Sequence, residues 1–264
     1  MTLPASGGIT GANIRDELRQ SGGNLVFPDA TTRWLSEKPS GNLVLPTDFY
    51  SKQAVKLVDS KSFGGGSSFS TTINLGPDYP GRSILCIAAA FRNGVGYDMH
   101  INLFQINSSS LEVLDGRFGF TGAGTPVSMA LGVGGSTASG TSATLGIGFA
   151  NTVSAAYVAV YAIASRGSNS PSANGTVGTS SSASVNANVP TDNAYFVVTG
   201  LKQNVPGGDM AVNGADEKVD ADLGGGIRWC IGISNRLPTQ VGRSGGFTTS
   251  GPPDFCLLSV VGFG

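Results

Sequence analysis

Hydrophobic and polar positions change their period near residue 60. Before it, apolar residues recur at helical spacing. Ile14 and Leu18 lie four apart, as do Ala30 and Trp34, while Arg15, Asp16, Glu17 and Arg19 take the solvated positions. Thr10 and Thr47 suit N-caps, and Pro28 and Pro46 suit the first helical position. These helices are expected to run about 7 to 12 residues, a length marginal in isolation. From about residue 68 the period becomes two: Met99, Ile101 and Leu103 alternate with His100, Asn102 and Phe104. Ten strands are predicted: Phe69–Leu75, Ser83–Phe91, Tyr97–Ile106, Val127–Val133, Ala143–Phe149, Ala156–Ile163, Ser182–Val189, Ala194–Thr199, Ile227–Ile233 and Phe255–Phe263. The run Val158–Ile163 is apolar on both faces, which predicts a strand buried on both sides or facing a partner chain. With no crossover helices between strands, the expected fold is mainly β. It is an antiparallel sandwich, jelly-roll-like, preceded by a small region of short helices.

Charge divides the chain at the same place. Residues 1–61 hold seven Lys/Arg and six Asp/Glu, and no lysine occurs between Lys61 and Lys202. Three units are therefore predicted: residues 1–60, a Gly/Ser joint over 61–68, and a sandwich over 69–264. A split near 166–175 is the alternative to one sandwich. The first unit repeats itself. Gly23-Asn24-Leu25-Val26-Phe27-Pro28 matches Gly41-Asn42-Leu43-Val44-Leu45-Pro46, and each follows a Ser-Gly turn. Helices this short must lay Ile14, Leu18, Trp34, Leu35, Phe49 and Tyr50 against something. The candidates are the following domain or another polypeptide. The second is the expectation, which makes these six residues a docking face.

Composition then removes mechanisms. A net charge of −1 in 264 residues supplies no basic patch for phosphates, so nucleic acid is not an expected partner. No run of 18 apolar residues predicts a membrane-spanning helix, and Met1–Ser6 lacks the pattern of a secretory leader. His100 is the single histidine, which excludes multi-histidine metal sites. Cys86, Cys230 and Cys256 are far apart and are expected to be buried thiols, with a Cys230–Cys256 bridge left open.

Candidate motifs are weak. Gly242-Arg243-Ser244-Gly245-Gly246 fits the nucleophile-elbow spacing, but Phe247-Thr248-Thr249-Ser250-Gly251-Pro252-Pro253 cannot begin the helix such an elbow needs. Asp98 and His100 share a strand face without a nucleophile to serve. Asp209, Asp216, Glu217, Asp220 and Asp222 lack the spacing of a calcium loop and are expected to form a solvated hairpin. Gly132-Val133-Gly134-Gly135 and Gly122-Ala123-Gly124 are expected to be turns and close strand approaches. No catalytic residue, metal ligand or cofactor is expected, and the chain is not expected to be an enzyme. Tyr79, Tyr97, Phe118 and Phe120 are candidates for stacking on a sugar face.

Leu3-Pro4-Ala5-Ser6-Gly7, the run Ile9 to Leu18, and Pro39-Ser40-Gly41-Asn42-Leu43 closing at Asp48-Phe49-Tyr50-Ser51-Lys52 resemble a module of tailed-bacteriophage virion structural proteins. That module typically reads as Ser-Gly-apolar repeats ending in Asp-Phe-Tyr-Gly-Lys. Here Ser51 stands at the glycine, and Asn24-Leu25 and Asn42-Leu43 stand where the module has small-plus-isoleucine pairs. Arg82–Ala88 and Tyr157–Tyr161 are similar to the β-rich part of such proteins. The resemblance implies a virion protein, assembled in the host cytoplasm, whose first unit docks on other virion proteins. Its β-rich part would be exposed or self-associated as a tail-fibre, tail-tip or head-decoration component. A homo-oligomer, trimeric by analogy, and a host surface glycan or receptor are the implied partners. The alternative is a lectin-like carbohydrate-binding sandwich.

Overall fold

The computed structural model describes residues 3–18, 25–52, 54–79, 81–94, 99–120, 125–134, 139–164, 171–178, 182–187, 195–203, 210–213, 217–224, 226–235, 243–249 and 255–263. Two short helices come first, α1 (Gly11–Glu17) and α2 (Ala30–Ser36), then a 3-10 turn at Thr47–Phe49. The strands of the first half follow: β1 (Val55–Phe63), β2 (Gly66–Asn74), β3 (Ser83–Phe91), β4 (Ile101–Ile106), β5 (Ser109–Ser110), β6 (Glu112–Phe120), β7 (Pro126–Gly134), β8 (Ser142–Val153) and β9 (Ala155–Ile163). The second half supplies β10 (Ser172–Gly178), β11 (Ser182–Ala187), β12 (Tyr195–Gln203), β13 (Met210–Asn213), β14 (Glu217–Gly224), β15 (Ile227–Asn235), β16 (Arg243–Thr249) and β17 (Phe255–Phe263).

The fold is mainly β and antiparallel, as the periodicity predicts. It is not one sandwich. Four sheets form: I (β1-β9-β3-β7-β6), II (β2-β8-β4-β5), III (β10-β17-β12-β15-β14) and IV (β11-β16-β13). Residues 55–163 make sheets I and II; residues 172–263 make III and IV. Three apolar layers stack them in the order II, I, III, IV. Ile84, Cys86, Ala88 and Ala90 of β3 face Leu145, Ile147 and Phe149 of sheet II. The intervening Leu85, Ile87 and Ala89 face Val197, Trp229 and Val261 of sheet III. Phe196, Val198, Leu258 and Val260 turn the other way, onto Val212 and Phe247 of sheet IV.

This explains the doubly apolar strands. β3 is buried along its whole length because it is covered by a sheet on each face. The cover for sheet I is the other half of the same chain. Two large buried side chains place their polar atoms in hydrogen bonds: the Tyr195 hydroxyl donates to the Ala164 carbonyl at 2.9 Å, and Trp229 Nε1 donates to Thr199 Oγ1 at 2.7 Å. All three cysteines are buried free thiols, and burial pushes Cys256 up to about 12.

Residues 61–68 are not a joint between units. They end β1 and begin β2, two strands that belong to sheets I and II. Glycine there serves a corner: a Cβ on Gly66 would lie 2.9 Å from the Phe69 ring.

Candidate functional site

The N-terminal unit is built from three clasped pieces. Thr10 caps α1 in a reciprocal box with Asn13. Asp29 caps α2 with Thr32, so Pro28 precedes the cap rather than opening the helix. Thr47 begins the 3-10 turn, whose cap is Pro46. α2 ends at Glu37, in the left-handed region at φ 60°. There Lys56 Nζ donates to the carbonyls of Trp34 (2.6 Å) and Leu35 (3.2 Å), adding to the Glu37 N–H that the Trp34 carbonyl also accepts.

The two segments that carry the virion-module resemblance close on each other. Leu3 N donates to the Lys52 carbonyl at 2.8 Å, and Ser51 N donates to the Pro4 carbonyl at 3.1 Å. The Tyr50 hydroxyl donates to the Gly7 carbonyl at 2.8 Å. Ser51 is held at φ 57°, a conformation that glycine adopts without steric cost.

The six expected docking residues do not form an exposed face. Ile14, Leu18, Trp34, Leu35 and Phe49 are buried in the core shared by sheets I and II, and Tyr50 packs half-buried against it. The reason is the area available: the N-terminal unit lays its apolar stripes on the first sandwich of its own chain. Glu17 fastens it there, its carboxylate accepting from Ala54 N at 2.7 Å. Among the described residues of this unit, the large apolar side chains left outside are Val26 (65% exposed), Val44 (50%) and Leu45 (43%). Val26 and Val44 occupy matching positions in the two repeats, while Leu25 and Leu43 beside them pack on the core. Sequence reasoning found the repeat but not which side chain of each copy faces out. Between α2, β1 and the segment at Pro77 lies an open cavity of about 540 Å³, walled by Trp34, Leu57, Val58 and Pro39 with Glu37 and Lys56 at its edge.

Charge holds this region in place. Desolvation works to raise the Glu37 carboxyl. Hydrogen bonds from Lys52 and Lys56, with their charges, outweigh it and hold the group below its ordinary value. The backbone N–H of Val44, and then Lys38, hold Asp48 low as well. Both folded values lie below the unfolded ones. Their stabilisation is therefore present above about pH 4.3 and is lost as pH falls through the folded values. Glu37 is half exposed, so solvent screens the effect. Between pH 6 and pH 3 the wild-type melting temperature is expected to fall more than that of Glu37→Gln, with the difference shrinking in high salt.

The remaining candidates separate. Tyr79 is buried, stacked on Trp34 at 4.3 Å with its hydroxyl donating to the Ile163 carbonyl at 2.7 Å, and is no sugar platform. Phe118 and Phe120 are exposed on β6, edge to face at 5.4 Å. Tyr97 and Asp98 lie outside the described residues, as do Asp209, Asp216, Gly122-Ala123-Gly124 and Gly135. Glu217, Asp220 and Asp222 are on β14, where the Asp222 carboxylate accepts from Gly224 N at 2.8 Å. Among the described residues no three His, Cys, Asp or Glu gather to hold a metal, and no helix is long and apolar enough to cross a membrane. Ser244, Gly245 and Gly246 lie in β16, a strand rather than a strand-to-helix elbow, and Ser244 Oγ shares a hydrogen bond with Ser184 Oγ. Gly132 and Gly134 lie in β7, where a Cβ would meet Phe104 at 2.8 Å and Leu111 at 2.7 Å, so they permit close approach.

Compared with known proteins, the chain matches no family profile, and no curated protein is significantly similar to it.

Proposed function

We propose that the protein is a non-enzymatic structural component of a tailed-phage particle, held to its neighbours through the outer surface of the N-terminal unit. The observation that carries this reading is the clasp between residues 3–7 and 50–52. It joins the two ends of the resembled module, and Ser51, which stands at the motif's glycine, holds the conformation natural to glycine. Val26, Val44 and Leu45 are the docking residues, in place of the six expected from the sequence. Val26 and Val44 leave apolar surface at matching positions of the repeat, with Leu45 beside the second, which a neighbouring virion protein would cover.

The test is particle incorporation. Virions purified from cells producing the protein are probed by mass spectrometry and immunogold labelling, for the wild type and for Val26→Ser/Val44→Ser/Leu45→Ser. The wild type is expected in the particle at fixed stoichiometry. The triple variant should fold normally and fall at least tenfold in incorporation. A wild type found only outside particles overturns the reading; an unaffected triple variant overturns the docking surface.

A further inference from the structure

Sheet I is one strand narrower than sheet III along one side. β6 is the last strand of sheet I, and β10 is the last strand of sheet III below it. β6 lies above β17: Ser259 Oγ of β17 donates to Asp115 of β6. β6 also comes close to β10, and the Arg117 side chain lies on it: a Cβ on Gly175 would lie 2.5 Å from its guanidinium carbon. Val177 of β10 pairs with Leu257, so its side chain is on the face turned toward sheet I. Val177 is nevertheless 55% exposed, because among the described residues no strand of sheet I covers it. The edge is thus a step: β6 is the riser, and the Ala173–Gly175–Val177 face of β10 is a shelf one strand wide.

We propose that two copies of the chain interlock at this step about a two-fold axis parallel to the strands. The rotation turns one stack upside down, so β10 of each copy fills the vacant strand position beside β6 of the other. A joint of this kind needs a self-complementary edge, and the step is one: a sheet lacking one strand next to a sheet that overhangs by one. Simple edge-to-edge pairing of β6 with β6 is excluded by the same shelf, since the two β10 strands would collide. The chemistry fits a second copy. β10, Ser-Ala-Asn-Gly-Thr-Val-Gly, carries no charge, and the one cation facing it, Arg117, is already neutralised by Asp115 at 2.6 Å. The two-fold brings the Arg117 of each copy toward the other between the shelves, each already paired with its own Asp115. The small side chains of β10 let the two shelves stack closely, with the Val177 pair meeting across the axis. Phe118 (41% exposed) and Phe120 (42%) flank the inserted strand on its other face. Two seven-residue seams and the stacked shelves bury on the order of 1,200 Å², near the lower bound of a specific interface. The predicted association is therefore reversible, and two-fold where family analogy suggests three. It does not depend on the virion reading.

Sedimentation equilibrium of the full chain from about 1 to 200 μM tests it. The wild type should fit a monomer–dimer equilibrium. Val177→Lys puts two cations together at the axis and should weaken dimerisation more than a hundredfold. Phe118→Lys should weaken it about tenfold. Leu103→Lys, on an exposed residue of β4 in sheet II, should change nothing. Near-ultraviolet circular dichroism verifies folding, and Val177→Ser serves if the lysine variant fails it. A wild type that stays monomeric, a trimer, or a Val177 variant that dimerises like the wild type overturns the proposal.

Discussion

Gly246→Ala is expected to destabilise the chain by about 3 kcal/mol or more, at the upper end of what overpacking costs, because backbone rather than a side chain must move. Gly246 pairs with Ser184 where β16 meets β11. A Cβ there would sit 2.3 Å from the Ala183 carbonyl oxygen and 3.2 Å from Ser184 Cα. No rotamer change relieves a contact with a carbonyl oxygen, so β11 must separate from β16. Gly245 faces the other way, into the core between sheets III and IV. Its Cβ would meet Val198 Cγ2 at 2.6 Å, and Phe196 and Val260 at 3.1 Å. Gly245→Ala asks only side chains to give way and should cost less, about 1 to 3 kcal/mol. Urea unfolding of both variants checks the order. The result also bears on chemistry: if Gly242–Gly246 were a nucleophile elbow, alanine at 245 would lower a hydrolytic rate. Here the two glycines let sheets approach, and the variants should report through stability.

These glycines mark the limit of what the sequence discloses. All ten predicted strands correspond to strands in the fold, and Ser83–Phe91 and Phe255–Phe263 have the predicted ends. The central strands of sheets I and III are legible because a sheet covers each face and nearly every position must be apolar. The seven strands missed are β1, β5, β6, β10, β13, β14 and β16. All but β16 are sheet edges. An edge strand meets water along one side, so Val-Lys-Leu-Val-Asp-Ser-Lys in β1 or Ser-Ala-Asn-Gly-Thr in β10 reads as loop chemistry. β16 is central but glycine-rich, for the steric reason just given. The same blindness affected the site. An amphipathic stripe shows that Ile14, Leu18 and Trp34 are buried, but not by whom. That depended on sheets I and II having an open end for them, which no local pattern encodes. The number of sandwiches was hidden likewise: a doubly apolar strand looks the same whether its second cover is a partner chain or the other half of its own.

Trp34→Ala decides between those two covers, and is expected to cost about 3 to 5 kcal/mol, the range for deleting a buried aromatic side chain. Trp34 is buried between three different attachments. Its ring stacks on Tyr79 at 4.3 Å, Lys56 Nζ lies 4.9 Å from it, and its carbonyl accepts from the same ammonium at 2.6 Å. Removing the indole would leave a void under α2 and free Tyr79, whose hydroxyl ties the segment before β3 to the end of β9. The loss therefore reaches sheet I rather than staying in the helix. Equilibrium unfolding in urea, followed by the fluorescence of Trp229 in the sheet I–sheet III core, would register it as a lower midpoint with the slope preserved. Had Trp34 been a docking residue waiting for a partner, its removal would leave the isolated chain as stable as before and abolish attachment alone. A midpoint unchanged within error would return the N-terminal helices to that role. A shift of the expected size makes them the end wall of the first sandwich.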